Sequence, residues 1–486
     1  MTVHSTRETP QPDAEAALDA LVAEATKAVV YLGEAGPGWV PERPEFESDV
    51  AIVGGGQSGV AVAVALRRAG VTRTTVLDAA PAQQEGVWRG IARMQTLRST
   101  KALPGPEGGI AALSFRAWYE AKFGVPAYEA LVRCDRLDWA DYVDWYRQAV
   151  SVPVRSEVRL QRIEPLAEGF RLHLVREGLQ VTETTRKVVL ATGMVGGGVP
   201  FTPPAISALS PGRWAHTEGV IDFEALRGRR VGVLGAASSA FDAAATALEN
   251  GAADAHLFSR HNDLVRITTI KGMAYAGVLD HFHEMADADR WHLMHYYMQR
   301  SAGPIADTVR RATRLPDFHL HLGEDWQSVR ETGEGVVVET AAGRFVFDFV
   351  IAGTGYAVNL AARPELADFA ARIALWSDRY PAPADAQNAN LARHPYLGAG
   401  FEFLERQPGA APFLRDIHCF NAAAAMSHGR AVGEIASLKH GIPRLVAAIG
   451  RDLFLADRDR HLERLTSFAV ADLTGEEYAA PAPVEG

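Results

Sequence analysis

Apolar residues follow the same order of spacings in two separate parts of the chain. Residues 49–79 contain a β-rich apolar run (DVAIVG), a glycine cluster, a segment with helical apolar spacing (VAVAVALRRAG) and a second β-rich run (TTVLDA). Residues 229–260 repeat this order with RRVGVLG, AASSAFDAAATALENG and AHLFSR. Strand, glycine turn, helix and strand in this order are typical of a βαβ dinucleotide-binding unit. The pattern therefore predicts two such units in one chain.

The segments outside these units predict further helices and strands. Two strand-like runs end in glycine-rich turns, and three segments have helical apolar spacing: the strands at 187–193 and 347–356, and the helices at 13–33, 284–313 and 430–466. A proline-rich linker at 37–44 separates the first helix from the first unit. We expect the helix at 13–33 to dock on the main body with its apolar face.

Composition limits the class of protein. The chain has 486 residues, 48% hydrophobic and 22% charged, which supplies apolar material for two or three domain cores. A net charge of −10 argues against nucleic acid and anionic membrane as partners. The only cysteines, Cys134 and Cys419, form no CxxC pair, which excludes a disulfide framework and indicates the cytoplasm. The polar N-terminus is unlike a signal peptide, and no apolar run is long enough to span a bilayer.

The first unit carries the motif G-x-G-x-x-G at residues 54–59, between its strand and its helix. The first glycine permits a tight turn, the second lets backbone N–H groups approach a pyrophosphate, and the third lets the helix pack on the strand. The N-terminus of the helix adds a partial positive charge. An acid at the end of the second strand suits the ribose hydroxyls. The predicted contacts are Gly54, Gly56, Gln57, Ser58, Gly59 and Asp78.

The second unit carries a degenerate form of this motif at residues 235–240, with alanine at two glycine positions. The strand before it and the helix after it preserve the prediction of a phosphate site. Its second strand ends at Arg260 without an acid, and an arginine there suits the 2′-phosphate of NADP, whereas NAD favours an acid. An ordinary surface arginine is the simpler alternative. The predicted contacts are Gly235, Ala237, Ser238, Ser239 and Arg260.

Two dinucleotide motifs in this order, joined by ATG-type turns, resemble the class B flavin monooxygenases. This group includes the flavin-containing monooxygenases, the Baeyer–Villiger monooxygenases and the amino-acid N-hydroxylases. The resemblance spans most of residues 49–440 and also rests on GVWRG at 86–90, ATG at 191–193 and GTGY at 353–356. It implies FAD at the first site and NADPH at the second, with further cofactor contacts from Trp88, Arg89, Thr192, Gly193, Gly355 and Tyr356.

The sequence departs from one motif of this group. The fingerprint FxGxxxHxxx(F/Y/W) would fall on residues 210–220, where Gly212 and His216 match but Ser210 and Val220 do not. This departure disfavours a standard sulfoxidase or Baeyer–Villiger enzyme.

The stretch MQTLRSTK at 94–101, followed by Ser114-Phe115, is more similar to the N-hydroxylases. That resemblance implies that Gln95 packs at the flavin and that Lys101, or alternatively Arg98, meets a substrate carboxylate. Arg300 is a further candidate for the carboxylate, and Asn421 for a polar contact beside the flavin, where a plain helix-capping role is the alternative.

These assignments predict an α/β protein with two nested Rossmann-like dinucleotide-binding domains and added helices. The predicted division is an N-terminal tail and amphipathic helix at 1–44, an FAD-binding domain at 45–200 and 345–470, an NADPH-binding domain with a helical insert at 201–344, and a flexible tail at 471–486. The added helices either cover the site or form a contact between copies in a homo-oligomer.

The resemblance implies that NADPH reduces FAD, and that reduced flavin and O₂ form a C4a-hydroperoxide whose distal oxygen passes to the substrate. We expect hydroxylation of nitrogen in a small amine or amino acid. An S-oxidising or Baeyer–Villiger-type monooxygenase and an NADPH oxidase or flavin reductase are the alternatives. Disulfide reductases need a redox CxxC, which the sequence lacks. His281, His283, His292 and His295 fit no zinc spacing, so no metal is expected.

Overall fold

A computed structural model describes residues 7–34, 36–102, 104–300, 303–430, 434–475 and 477–478. Its strands are β1 (Ser48–Val53), β2 (Thr74–Leu77), β3 (Val154–Arg155), β4 (Val158–Pro165), β5 (Phe170–Arg176), β6 (Leu179–Leu190), β7 (Gly198–Pro200), β8 (Trp214–His216), β9 (Arg230–Leu234), β10 (Asp254–Ser259), β11 (Phe318–Leu322), β12 (Ser328–Thr332), β13 (Gly335–Thr340), β14 (Gly343–Phe347), β15 (Phe349–Ala352), β16 (Tyr356–Val358) and β17 (Ile417–His418). Its α-helices are α1 (Ala14–Tyr31), α2 (Gln57–Arg68), α3 (Phe115–Phe123), α4 (Val125–Ala130), α5 (Arg136–Ala149), α6 (Pro204–Ser207), α7 (Ser238–Glu249), α8 (Ala276–His281), α9 (Asp287–Arg300), α10 (Ala306–Thr313), α11 (Trp376–Arg379), α12 (Ala389–Ala392), α13 (Ala425–His428), α14 (Leu438–Ala456) and α15 (Arg458–Thr466).

The first βαβ unit lies at the centre of the larger sheet, whose order is β3-β2-β1-β6-β5-β4, with β17 beside β6. Strands β3, β2, β1, β6 and β17 are parallel, and β5 and β4 continue the sheet antiparallel. Val50, Ala51 and Ile52 of β1 are completely buried, because helices and loops cover both faces of a parallel sheet. The apolar run DVAIVG is therefore a central strand, as predicted.

The second βαβ unit builds a separate parallel sheet in the order β11-β10-β9-β15-β8. The two nested dinucleotide-binding folds are thus confirmed. Strand β15 pairs with β9 and β8, so it belongs to the second sheet. The predicted start of the second FAD-binding part at residue 345 is therefore too early, because that part cannot begin before the end of β15. A short apolar run does not reveal which of two sheets it enters. The other domain boundaries stay predictions.

Two smaller sheets and the N-terminal helix complete the fold around the two large sheets. Strands β12, β13 and β14 form an antiparallel sheet, and β7 pairs with β16 where the chain crosses between the two large sheets. Helix α1 packs on α3, as the docking prediction required. The residues before α1 are also attached, since Arg7 pairs with Asp138 at 2.8 Å and the Gln11 amide donates to the Lys122 carbonyl at 2.8 Å. The expected N-terminal tail therefore does not include residues 7–12, and residues 1–6 and 479–486 lie outside the described residues.

The helical insert after β10 packs against the C-terminal part of the chain. A separate apolar cluster joins Phe282, Trp291 and Met294 of the insert to Trp376 and Met426. The predicted helices at 284–313 and 430–466 are present as α9, α10, α14 and α15. In the described part of the chain, no helix combines the length and the apolar character needed to cross a bilayer.

Candidate active site

The first glycine loop has the backbone of a phosphate cradle. Gly54 has a φ of +110°, a conformation that only glycine adopts without strain. A Cβ at Gly59 would lie 3.0 Å from the Gly54 carbonyl carbon and closer still to its oxygen. Helix α2 starts after Gly56 without any side-chain cap, so its first N–H groups point towards the loop. Gln57 and Ser58 form the first turn of this helix. A pyrophosphate fits such a cradle because its oxygens accept from those N–H groups.

Asp78 closes the cradle from the second strand. Its Oδ2 accepts from the Gly55 amide at 2.6 Å and its Oδ1 from the Ala80 amide at 2.7 Å. Burial raises the pKa of this carboxyl, partly offset by the two backbone donors. Beside β2 and β3 lies a cavity of about 410 Å³ lined by Glu85, Val154 and Ser156. The position of Asp78 next to the loop fits the ribose of the adenosine half of FAD.

Gln57 links the cradle to two tryptophans. Its Oε1 accepts from the indole N–H of Trp88 at 3.3 Å and of Trp139 at 3.0 Å. The motif analysis found Trp88 but missed Trp139, which sits on α5 far along the sequence. Arg89 lies next to Trp88, but its guanidinium pairs with Asp141 and Asp144, each at 2.7 Å. Contact between Arg89 and a cofactor therefore stays a prediction, and its charge is already balanced by α5.

Thr192 and Asn421 join the end of β6 to the C-terminal part of the chain. The Asn421 amide N–H₂ donates to the Leu190 carbonyl at 3.3 Å and to Thr192 Oγ1 at 3.2 Å. Its Oδ1 accepts from the Ala423 amide at 3.0 Å, which caps a 3₁₀ turn. Asn421 is buried, and these bonds occupy both ends of its side chain. The structure thus gives Asn421 a capping and bridging role, and its contact with the flavin stays a prediction.

Glycines in the turn after Thr192 let the backbone lie close to the segment at 421–423. Gly193 is exposed with a φ of +72°, and its carbonyl accepts from the Ala422 amide at 3.3 Å. A Cβ at Gly196 would meet Thr192 and would lie 2.8 Å from the Asn421 amide group. The turn and the segment at 421–423 are therefore fixed to each other beside the carboxyl end of β6, where ligands of such sheets bind.

The second glycine loop keeps the geometry of the first despite its alanines. Gly235 has a φ of +115°, and helix α7 starts after Ala237 without a side-chain cap. Ala237 is extended, so its methyl group costs no strain there. Ser238 is buried and its hydroxyl accepts from the Ile305 amide at 3.3 Å, while Ser239 is half-buried in the first turn. The degenerate motif is therefore compatible with a second pyrophosphate.

Arg260 follows the last residue of β10 and is exposed. Within the part of the chain that the structure describes, it forms no hydrogen bond or ion pair. An unpaired guanidinium at the end of the second strand fits the 2′-phosphate of NADPH.

A polar bridge that motif reading missed lies where the two sheets meet. The Tyr356 hydroxyl donates to Glu218 at 2.6 Å, and Gly355, with a φ of +81°, accepts from the Phe201 amide at 2.8 Å. Arg93 donates to the carbonyls of Thr217 and Gly219, on either side of Glu218. Burial raises the pKa of Glu218, and burial together with Glu218 raises that of Tyr356. No sequence signal pairs these residues, because their contact depends on how the two domains meet.

Gln95 and Arg98 lie at the same boundary. Gln95 is exposed and its amide donates to Glu249 of α7 at 3.4 Å, while Arg98 pairs with Asp242 of α7 at 3.5 Å. Arg311 of α10 also pairs with Asp242 and Glu249, at 3.2 and 2.6 Å. A cavity of about 400 Å³ opens here, and its charged and polar lining is Arg89, Arg93, Gln95, Asp135, Arg136, Thr246, Glu249 and Arg311.

Two of the predicted substrate contacts lie elsewhere. Lys101 donates to the carbonyls of Tyr128 and Glu129, at 2.6 and 3.0 Å, and sits over the Tyr128 ring. Arg300 stacks on the ring of Tyr296, one turn earlier on α9. Lys101, Arg98 and Arg300 are not among the residues that line this cavity, and their contact with a substrate carboxylate stays a prediction.

The remaining candidates for redox or metal chemistry are buried or scattered. Cys134 and Cys419 are both buried and unbridged, and burial raises the pKa of Cys419 to about 12, which opposes thiolate formation. Among the described residues, no set of histidine, cysteine and carboxylate side chains is arranged to hold a metal ion. His283 instead accepts from Arg444 at 2.7 Å.

Two glycine cradles on separate sheets, with an acid beside the first and an exposed arginine beside the second, fit a flavoprotein oxidoreductase. The profile of the family described as pyridine nucleotide-disulphide oxidoreductase matches residues 51–274. An FAD-dependent urate hydroxylase of Xanthomonas campestris pv. campestris is 42% identical over 451 residues, covering 92% of this chain and 95% of that protein. The chain therefore belongs to the class B flavin-dependent monooxygenases, and it is an oxidoreductase that uses FAD and a pyridine nucleotide.

Solved structures share the fold at low identity. The ornithine hydroxylase PvdA of Pseudomonas aeruginosa superposes with a TM-score of 0.66 at 16% identity, covering 84% of this chain and 99% of that one. The L-lysine 6-monooxygenase of Pseudomonas syringae gives 0.63 at 18% identity, covering 83% and 99%. These likenesses extend across both sheets and support the nested arrangement.

Proposed function

We propose that this monooxygenase hydroxylates urate or a closely similar anionic oxopurine. The observation that carries the proposal is the 42% identity to a urate hydroxylase along nearly the whole length of both chains. In the overall reaction, urate, NADPH, a proton and O₂ give hydroxylated urate, NADP⁺ and water. Bound FAD supplies the oxygen activation. The chain's own residues bind the two nucleotides, orient the substrate and exclude water.

The contacts of Lys101 support a purine over an amino acid. A lysine that reads a substrate carboxylate must be free to donate to it, whereas Lys101 already donates to two carbonyls. Its removal would take one donor from each carbonyl, although the Tyr128 carbonyl also accepts from the Leu131 amide at 3.2 Å, so its present role is to tie its own loop to the end of α4.

The cavity between the two domains suits a small planar anion. Its lining includes Arg93 and Arg136, whose guanidinium groups donate to backbone carbonyls, whereas Arg89 and Arg311 are already paired with carboxylates outside or at the rim. Attraction of a negative ligand would therefore come from Arg93 and Arg136. The lining also includes Gln95, the residue expected at the flavin. We propose that the oxopurine binds at this boundary, with Gln95 orienting it.

Hydroxylation of nitrogen in a small amine or amino acid is the second candidate. It is favoured by the MQTLRSTK stretch and by fold neighbours named as ornithine and lysine hydroxylases, but these neighbours share less than 20% of their residues with this chain. Oxidation of sulfur or of a ketone, and plain NADPH oxidation, are the remaining alternatives.

One experiment separates these candidates. FAD-loaded enzyme is mixed with NADPH and ¹⁸O₂ in the presence of urate, ornithine, lysine, a thioether or a cyclic ketone. NADPH loss, peroxide and labelled product are measured in each mixture.

We expect urate to accelerate NADPH oxidation, to gain one labelled oxygen and to suppress peroxide. Labelled hydroxylamine from ornithine or lysine, with urate inert, would overturn the proposal in favour of the second candidate. Stoichiometric peroxide with every compound would instead indicate an oxidase.

A further inference from the structure

Helix α10 lies along helix α7, which begins at the second glycine loop. The Ile305 amide, just before α10, donates to the Ser238 hydroxyl in the first turn of α7 at 3.3 Å. Further along α10, Ala312 is buried in the same apolar cluster as the inner face of α7, and Val309 packs against that cluster. The two helices and the nucleotide loop therefore belong to one packed body, so a displacement of α10 moves the loop with it.

Arg311 is the residue of α10 that connects this body to the FAD-binding part. Its side chain is only 11% exposed, and its guanidinium makes five hydrogen bonds, which use all of its N–H groups. Nε and Nη2 donate to the two carboxylate oxygens of Glu249 at 2.9 and 2.6 Å, and the guanidinium also donates to Asp242 at 3.2 Å and to Thr246 at 3.0 Å. The fifth bond leaves α7 and runs to the Arg93 carbonyl at 2.6 Å.

The loop that Arg311 holds in this way carries Gln95, the residue expected at the flavin. Gln95 itself donates to Glu249 at 3.4 Å, so this carboxylate accepts from both parts of the chain. A second link from α10 joins Asp307 to Arg133 at 2.9 Å, but these side chains are 48% and 31% exposed. Water and salt weaken exposed ion pairs far more than buried ones, so the buried contacts of Arg311 are the stronger link.

We propose that Arg311 is a positioning residue that fixes the nicotinamide-binding part against the flavin loop. Hydride transfer converts NADPH and FAD, with one proton, into NADP⁺ and FADH₂. The reacting atoms of such a step must approach to about 3–3.5 Å, and a displacement of about 1 Å can cost 100-fold in rate. Protein acceptors occupy every N–H group of Arg311, so it acts through the elements that it joins. This role rests on the proposed reduction of FAD by NADPH and is independent of the substrate that is hydroxylated.

The test compares the FAD-loaded full chain with the variants Arg311→Ala and Arg311→Lys. Each protein is mixed anaerobically with NADPH, without an organic substrate, and flavin absorbance gives the limiting rate constant of reduction and the Kd of NADPH. Arg311→Lys keeps the positive charge beside the two carboxylates and so protects the fold, but an ammonium group lacks the planar fork that spans all the partners. Arg314→Ala is the matched control, because Arg314 is exposed at the end of the same helix.

We expect the limiting rate constant to fall at least about tenfold in Arg311→Ala and at least about threefold in Arg311→Lys, with an unchanged FAD content. The Kd of NADPH should stay within about threefold of the native value, and Arg314→Ala should match the native chain. A limiting rate constant within about twofold of the native value in Arg311→Ala would overturn the proposal even if the Tm fell, because Arg311 would then only stabilise the fold. A loss confined to the Kd or to the FAD content would overturn it as well.

Hydrogen–deuterium exchange of the apoprotein measures the same link without any cofactor. Arg311→Ala should speed exchange at residues 93–98, which lose their link to α10, and leave the hairpin of β4 and β5 unchanged. Native exchange at residues 93–98 would overturn the proposal, since the loop would then be held without Arg311. If NADPH fails to reduce even the native enzyme, the nucleotide assignment is wrong, and the exchange result still shows whether Arg311 joins the two parts.

Discussion

The substitution Gly59→Ala tests whether the first glycine loop is the FAD cradle. A Cβ at residue 59 would lie 3.0 Å from the Gly54 carbonyl carbon and 3.3 Å from Ile52 Cγ2. The Gly54 carbonyl is part of the backbone and cannot rotate away, and the Ile52 side chain is completely buried, so α2 must shift relative to the strand. Overpacking of this kind costs about 1–3 kcal/mol, and the backbone clash places it near the upper end. Since about 1.4 kcal/mol is a factor of ten, FAD should bind on the order of 100-fold more weakly.

The assay titrates apoprotein with FAD and follows quenching of flavin fluorescence. Gly333 gives a matched control. A Cβ at Gly333 meets nothing within 4 Å, so Gly333→Ala should bind FAD normally. Circular dichroism of each apoprotein separates loss of the cradle from loss of the fold. If folded Gly59→Ala binds FAD within about threefold of the native chain, the assignment of the cradle is wrong.

Four further substitutions test individual contacts. Arg260→Ala should weaken NADPH by about tenfold or more and leave NADH within about twofold, while the exposed Arg266→Ala changes neither; equal losses for the two nucleotides would refute the 2′-phosphate contact. Lys101→Ala should lower stability by about 1–3 kcal/mol and leave the substrate KM unchanged, and a raised KM at unchanged Tm would restore the carboxylate role. Because burial raises the pKa of Asp78 above its ordinary 3.8, the contribution of Asp78 to apoprotein stability should be greatest below pH 3.8 and should be lost as the pH rises through the folded value; Asp78→Asn should remove this part of the Tm profile, and an unchanged slope would contradict it. Tyr356→Phe should slow anaerobic flavin reduction by NADPH about tenfold at unchanged FAD content, because Glu218 loses its donor, and an unaltered rate would show that the bridge does not position the two domains.

The parts of the fold that the sequence predicted are those set by local rules. A strand, a glycine turn and a helix are encoded within about thirty residues, so both βαβ units and the loops at Gly54 and Gly235 follow from spacing alone. The helix at 13–33 follows from its apolar periodicity in the same way. Strand β15 could not be assigned to its sheet, because its four apolar residues satisfy either sheet equally well.

The contacts between domains needed the structure. Arg93 binds the carbonyls on either side of Glu218, more than a hundred residues away, and neither residue occupies a specified position of a motif. The contacts of Asn421 could not be predicted either, since its neighbours in sequence do not reveal that Thr192 and Leu190 accept hydrogen bonds from its amide group. Lys101 matched a family position in sequence, yet its ammonium group donates hydrogen bonds to two backbone carbonyls.

The two cysteines limit which redox chemistry this flavoprotein fold can carry out. The family profile that matches residues 51–274 takes its description from disulphide reduction, where electrons leave the flavin through a pair of cysteines. This chain has two cysteines, one on each side of the second sheet in sequence, and both are buried without a bridge. Flavin reduces a disulfide and not a thiol, and these two buried cysteines form none. Burial also raises the pKa of each thiol, which opposes its reaction as a thiolate. Electrons that NADPH delivers must therefore leave through another acceptor, and the 42% identity to an FAD-dependent hydroxylase over 92% of this chain supports our proposal that this acceptor is O₂.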